Sequence, residues 1–143
     1  MYRYTESGLR GIQLQNGYTI KKTPYGKAVS IVDVEGLHKA IGRALARKSH
    51  LTGAELRFLR KELGWSQHAL AQVVGVSEQS VSLWERHGRV PAAADRLVRA
   101  IYLERVDGRV AIRELVARIA DFDRKIGEER LTFERNRGWR AAA

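Results

Sequence analysis

Residues 51–86 read L-T-G-A-E-L-R-F-L-R-K-E-L-G-W-S-Q-H-A-L-A-Q-V-V-G-V-S-E-Q-S-V-S-L-W-E-R, and the order of breaks in this stretch decides the fold. Thr52-x-x-Glu55 is a capping box, with Leu51 and Leu56 at the staple positions around it. Leu56, Leu59 and Leu63 then recur at helical spacing, and Gly64 ends that helix. Ser66 opens a second helix with Trp65 and Leu70 as its staple, and Ala69, Leu70, Val73 and Val74 form its apolar side. Gly75 suits a left-handed turn. Ser77 opens a third helix, stapled by Val76 and Val81.

Helix, break, helix, tight turn, helix places the third helix where its polar face can enter a DNA major groove. On a wheel of about 100° per residue, Val81 and Trp84 point inward with Ser77 nearby. Gln79, Leu83 and Arg86 fall on the opposite side, Ser82 at its margin, and Glu78 at the N-terminal tip that meets base edges in such motifs. Gln79 has the carboxamide that pairs with adenine N6 and N7. Leu83 suits a thymine methyl, Ser82 a base or a phosphate, and Glu78 cytosine N4. Arg86, His87 and Arg89 are placed for backbone phosphates, as is Gln67 in the first turn of the second helix.

Working outward, residues 11–31 read as β. Ile12 and Leu14 alternate with polar residues, Asn16-Gly17 suits a type I′ hairpin turn, and Tyr18 and Ile20 alternate again. Thr23-Pro24-Tyr25-Gly26 reads as a second turn before a third strand at Lys27–Ile31. A helix follows from about Val34 to Lys48, capped by Asp33, with Val34, Leu37, Ile41 and Leu45 in one stripe and Gly36 and Gly42 weakening it. Pro91 suits the first turn of a helix reaching Val106, and Asp107-Gly108 breaks it. Val110–Ile126 reads as a further helix, with Ile112, Leu115, Val116, Ile119 and Phe122 in a stripe, followed by a charged, extended tail over 129–143.

The chain of 143 residues carries net charge +10, distributed as +6 over residues 1–50, +1 over 51–107 and +3 over 108–143. Such a balance favours a polyanion partner, with the flanks of the reading unit supplying the phosphate attraction. The absence of cysteine excludes disulfides and thiolate zinc sites. His38, His50, His68 and His87 share no ligand spacing and read as surface residues, so no metal or other cofactor is expected. There is no nucleophile–base spacing, paired-carboxylate arrangement or phosphate-cradling glycine loop, which speaks against an enzyme. No apolar run is long enough for a membrane span, and M-Y-R-Y-T-E-S-G holds no apolar signal core, so the expected location is the cytoplasm.

The stretch from Ser66-Gln67 through Gly75-Val76-Ser77 to Trp84-Glu85 resembles the helix-turn-helix domains of phage repressor and Cro proteins, the XRE class, over about 52–106. Gln67, Leu70, Ala71, Gly75, Val81 and Glu85 fall where that family has its phosphate-binding glutamine, core, turn and buried acid. The resemblance implies an ion pair between Glu85 and Arg60. A narrower resemblance, through Y-T-E-S-G-L and Asn16-Gly17-Tyr18, is to antitoxins of the MqsA type, which join a toxin-binding region to a helix-turn-helix. The zinc that those proteins hold through cysteines does not carry over to a chain without them. Gln79 stands where that family has a base-reading asparagine and Leu83 where it has a base-reading arginine, which implies a different operator.

The expected fold is mainly α: a five-helix helix-turn-helix domain preceded by a small three-stranded β-hairpin and helix unit. The expected division is 1–50 for that unit, 51–106 for the DNA-binding domain, and 107–143 for a C-terminal helix and flexible basic tail. The expected function is a sequence-specific regulator, acting as a repressor, that binds double-stranded operator DNA as a homodimer, with the helices read over 91–106 and 110–126 as its dimer contacts. The alternative is an antitoxin whose N-terminal unit binds a protein toxin and whose DNA binding serves autoregulation.

Overall fold

The computed structural model describes residues 1–108 and two further strands at 133–135 and 139–141. Four short strands come first: β1 (Tyr2–Arg3), β2 (Gln13–Leu14), β3 (Tyr18–Thr23) and β4 (Gly26–Ile31). Five helices follow: α1 (Val34–Ala46), α2 (Gly53–Glu62), α3 (Gln67–Val74), α4 (Glu78–His87) and α5 (Ala92–Asp107). β5 (Phe133–Arg135) and β6 (Trp139–Ala141) pair antiparallel with each other, within the segment whose sequence suggested an extended tail. The helix expected over 110–126 lies outside the described residues. No helix among the described residues is long and apolar enough to cross a membrane.

The fold is mainly helical, with its small antiparallel strand pairs preceding the helices. The three expected N-terminal strands do not form one sheet. β2 pairs with β1, in the register Tyr2↔Leu14 and Arg3↔Gln13, and β3 pairs only with β4. The reason lies in burial. Leu14, Leu9 and Tyr4 all enter the core, and drawing β2 inward against β1 separates it from the exposed β3–β4 ribbon. Gly17, at positive φ, therefore turns a corner between two ribbons, and its carbonyl accepts from Val32 N at 2.8 Å.

One cluster of buried side chains runs from Tyr4 to Tyr102. Leu56, Leu59, Leu70, Val81 and Val98 are its fully buried members, drawn from α2, α3, α4 and α5. α1 lies against α5 and α2. Gly42 is needed there: a Cβ at this position would overlap the Tyr102 hydroxyl, so the glycine sets the α1–α5 distance. Its cost to the helix, roughly 1 kcal/mol, is offset by that close approach.

Polar anchors fix the same arrangement. Asp95, 3% exposed, accepts from Leu51 N at 2.7 Å and from Arg99 Nε one turn on. Arg99 also donates to the carbonyls of Lys48 and Ser49, so the first turns of α5 hold the α1–α2 junction. Arg105 donates to Leu63 O at 3.1 Å and closes the end of α2. His38 is not the surface residue its sequence suggested. Its Nε2 lies 2.8 Å from Tyr4 Oη and its Nδ1 2.8 Å from Glu62 Oε1, with Phe58 against the ring. Burial, with the charges of Glu6 and Glu62, pushes the Tyr4 phenol up, which keeps it a donor. In the tautomer that carries its proton on Nδ1, His38 accepts from Tyr4 and donates to Glu62.

Candidate nucleic-acid interface

Each helix of the motif starts on a side chain that satisfies an orphan backbone donor. Glu55 N donates to Thr52 Oγ1 and Glu55 Oε1 accepts from Thr52 N, completing the capping box. Ser66 accepts from Ala69 N at 3.0 Å, and Ser77 from Ser80 N at 3.2 Å. Each such cap contributes about 1 kcal/mol. Between α3 and α4 the chain passes through Gly75 at φ 85° and ψ 33°, a left-handed conformation costly for any residue with a Cβ. The Gly75 and Val76 amides both donate to Ala71 O, and Ser77 begins the next helix immediately.

Three contacts fix the orientation of α4. Val81 is fully buried, and Trp84 packs half-buried against the core. At the other end of the contact, α2 begins against the backbone of α4. A Cβ on Gly53 would overlap the carbonyl oxygens of Trp84 and Glu85. The third contact is ionic. Arg60 Nε donates to Glu85 Oε2 at 2.8 Å and a terminal nitrogen to Oε1 at 3.0 Å, while the other reaches Trp65 O at 2.8 Å. The two side chains are 9% and 3% exposed. Gln67 Nε2 joins them, 3.3 Å from Glu85 Oε1. The amide of Gln67 is thus already turned toward the pair, with one of its two hydrogens left for another acceptor.

The outward side of α4 is open. Glu78, Gln79, Leu83, Arg86 and His87 are exposed and Ser82 is half-buried; Arg89, beyond the helix, is also exposed. Leu83 is 46% exposed, and Val76 in the turn is 37% exposed, less of a staple than its position suggested. Glu78 has a loose partner in His68, at 3.7 Å across the α3–α4 turn. His68 is a neighbour of Glu78 that sequence spacing did not reveal.

The structure also brings in a residue that the motif gives no reason to notice. A cleft of about 720 Å³ is lined by Gly8–Ile12, the start of α2 and the end of α4. Arg10 shares it with Arg86 and His87. Its two carboxylates are already engaged, Glu55 by Lys48 and Glu85 by Arg60. The cleft is therefore a cationic margin to the α4 face. The available sequence signal was that no acid occurs between Ser7 and Val32. No group of three or more His, Asp or Glu side chains suited to a metal ion occurs among the described residues.

No curated protein and no solved structure matches the chain. Residues 56–97, from the first buried leucine of α2 into α5, match a family model described as Helix-turn-helix. That family is a DNA-binding regulatory domain and not an enzyme family. The caps, the Gly75 turn and the outward face of α4 are the working parts of such a domain, and residues 56–97 belong to the XRE class of helix-turn-helix DNA-binding regulators.

Proposed function

We propose that the chain is a transcriptional repressor that binds a near-palindromic operator as a homodimer. Each subunit places α4 in a major groove, with half-sites about 34–36 Å apart. Glu78, Gln79, Ser82 and Leu83 read bases. Gln67, Arg86, His87 and Arg89 hold phosphates, and Gln67 does so while braced by Glu85. The observation that carries this reading is the division of α4 into two sides. Val81 and Glu85 are anchored in the protein, while Gln79 and Leu83 are exposed.

The pairing surface follows from what α5 already does. Its Ala94, Val98 and Tyr102 are buried in the subunit's own core. We assign the pairing to the segment read as a helix over 110–126, whose stripe Ile112, Leu115, Val116, Ile119 and Phe122 lies outside the described residues. We divide the chain into an N-terminal unit over 1–50, a DNA-binding unit over 51–106 and a C-terminal segment over 107–143. Tyr4, Leu9 and Leu14 are committed to the protein's own core, which weighs against the first residues as a toxin-binding surface.

In vitro selection from random DNA at about physiological salt tests the proposal, with Gln79→Ala in parallel. The expected result is a two-fold-symmetric site whose preference relaxes at one position per half-site in the variant. Enrichment of no sequence at all would overturn base reading through α4. A single half-site bound by a monomer would overturn the dimer.

A further inference from the structure

The β3–β4 ribbon is exposed along nearly its whole length. Its root is fixed: the Tyr18 ring lies 5.4 Å from that of Tyr2, Tyr18 and Ile31 pack against the core, and Val32 N donates to Gly17 O. Beyond that root no other strand pairs with the ribbon among the described residues. The register places Tyr18, Ile20 and Lys22 opposite Ile31, Val29 and Lys27, so these six share one face. Thr19, Lys21 and Thr23 lie on the other face, opposite Ser30, Ala28 and Gly26. Tyr25, in the turn, is fully exposed.

Two features of this arrangement have no use within the isolated chain. Lys22 and Lys27 are directly opposite each other, and like charges so placed destabilise a ribbon. Neither they nor Lys21 has an ion pair among the described residues, whereas Lys39, Arg43, Lys48, Arg60 and Arg99 do. Two ammonium groups on one face, a third on the other and an exposed phenol in the turn make the end of this two-stranded arm complementary to a polyanion. Lysine stems span the reach to a phosphate, and the tyrosine offers an amphipathic ring to a groove wall.

We propose that the β3–β4 ribbon is a second DNA-contacting element, which clasps the phosphate backbone beside the half-site bound by α4. Lys21, Lys22 and Lys27 neutralise phosphates, and Tyr25 rests against the sugar–phosphate wall. The inference rests on α4 being the reading helix. It adds affinity without adding base preference, because ammonium–phosphate contacts carry no sequence information.

The test is the salt dependence of binding to the selected site, for the full chain and for the triple variant Lys21→Gln, Lys22→Gln, Lys27→Gln. Each phosphate contact contributes about 0.9 to the slope of log K against log salt. The triple variant should therefore lose roughly 2 to 3 from that slope while enriching the same site. Tyr25→Ala should weaken binding with the slope kept. An unchanged slope in the triple variant would overturn the proposal. So would an unchanged slope together with loss of a co-purifying acidic protein, which would assign the ribbon to that partner. If instead the wild type selects no sequence but the triple variant still loses slope, the reading of α4 has failed and the ribbon's contact stands.

Discussion

Arg60 and Glu85 face each other across the contact between α2 and α4, and both carboxylate oxygens of Glu85 are taken by the one guanidinium. The pair is nearly sealed from solvent, so either charge left alone would be buried without compensation. Glu85→Ala or Arg60→Ala should lower stability by roughly 3 to 5 kcal/mol, measured by urea unfolding. The double variant Arg60→Met, Glu85→Leu should recover most of that loss, because a buried ion pair often adds little over an apolar pair of similar size. If the single and double variants lose equally, the penalty comes from packing and not from charge.

Gln79 and Arg86 lie on the same open side of α4 but should fail in different ways. Gln79→Ala should cost about 1–3 kcal/mol on the preferred site and relax preference at one position, with the salt slope unchanged. Arg86→Ala should weaken binding to every sequence alike and lower the slope by about 1. Titrations on matched and mismatched duplexes at several salt concentrations separate the two. Identical behaviour of both variants would mean that neither role is assigned correctly.

Gly53 has no room for a side chain, because the carbonyls of Trp84 and Glu85 occupy the space of its Cβ. Gly53→Ala should force α2 and α4 apart and cost roughly 1–3 kcal/mol of stability. Operator affinity should fall as well, since α4 is displaced as a body. An unchanged melting temperature and an unchanged operator affinity would show that this approach is not needed.

Tyr102 presents the opposite case. Its hydroxyl is buried beside Gly42 with no hydrogen-bond partner among the described residues. A buried polar group without a partner lowers stability by about 1–3 kcal/mol. Tyr102→Phe should therefore raise the urea midpoint, by an amount equivalent to about 1 kcal/mol. A drop in the midpoint would reveal a bond to an ordered water at this site.

The helix-turn-helix was legible in the sequence because its information is local. Thr52, Ser66 and Ser77 each cap the helix that follows within three residues, and Gly75 allows the turn on its own. The helical period then placed Val81 inside and Gln79 and Leu83 outside. Non-local pairings were not legible. Nothing near Leu14 announces that its partner is Tyr2 and not the strand after Asn16-Gly17. The connection of Tyr4, His38 and Glu62 joins three distant segments, and His38 alone looks like any polar residue on a helix. Gly42 and Gly36 read as weak points in α1, yet both stand where a Cβ would collide, with Tyr102 and with the Asp33 cap. The Arg60–Glu85 contact was available only through resemblance, because two charges 25 positions apart give no local signal.

The division of α4 bears on how such a protein diverges. Val81, Trp84 and Glu85 tie the helix to the scaffold, whereas Gln79, Leu83 and Glu78 are exposed and lie outside the buried cluster. If α4 reads bases as proposed, substitutions at those three outward positions should leave folding nearly untouched and change which duplex is preferred. A duplicated copy can therefore acquire a new target through a few point changes, each passing through a folded intermediate, while its architecture stays fixed.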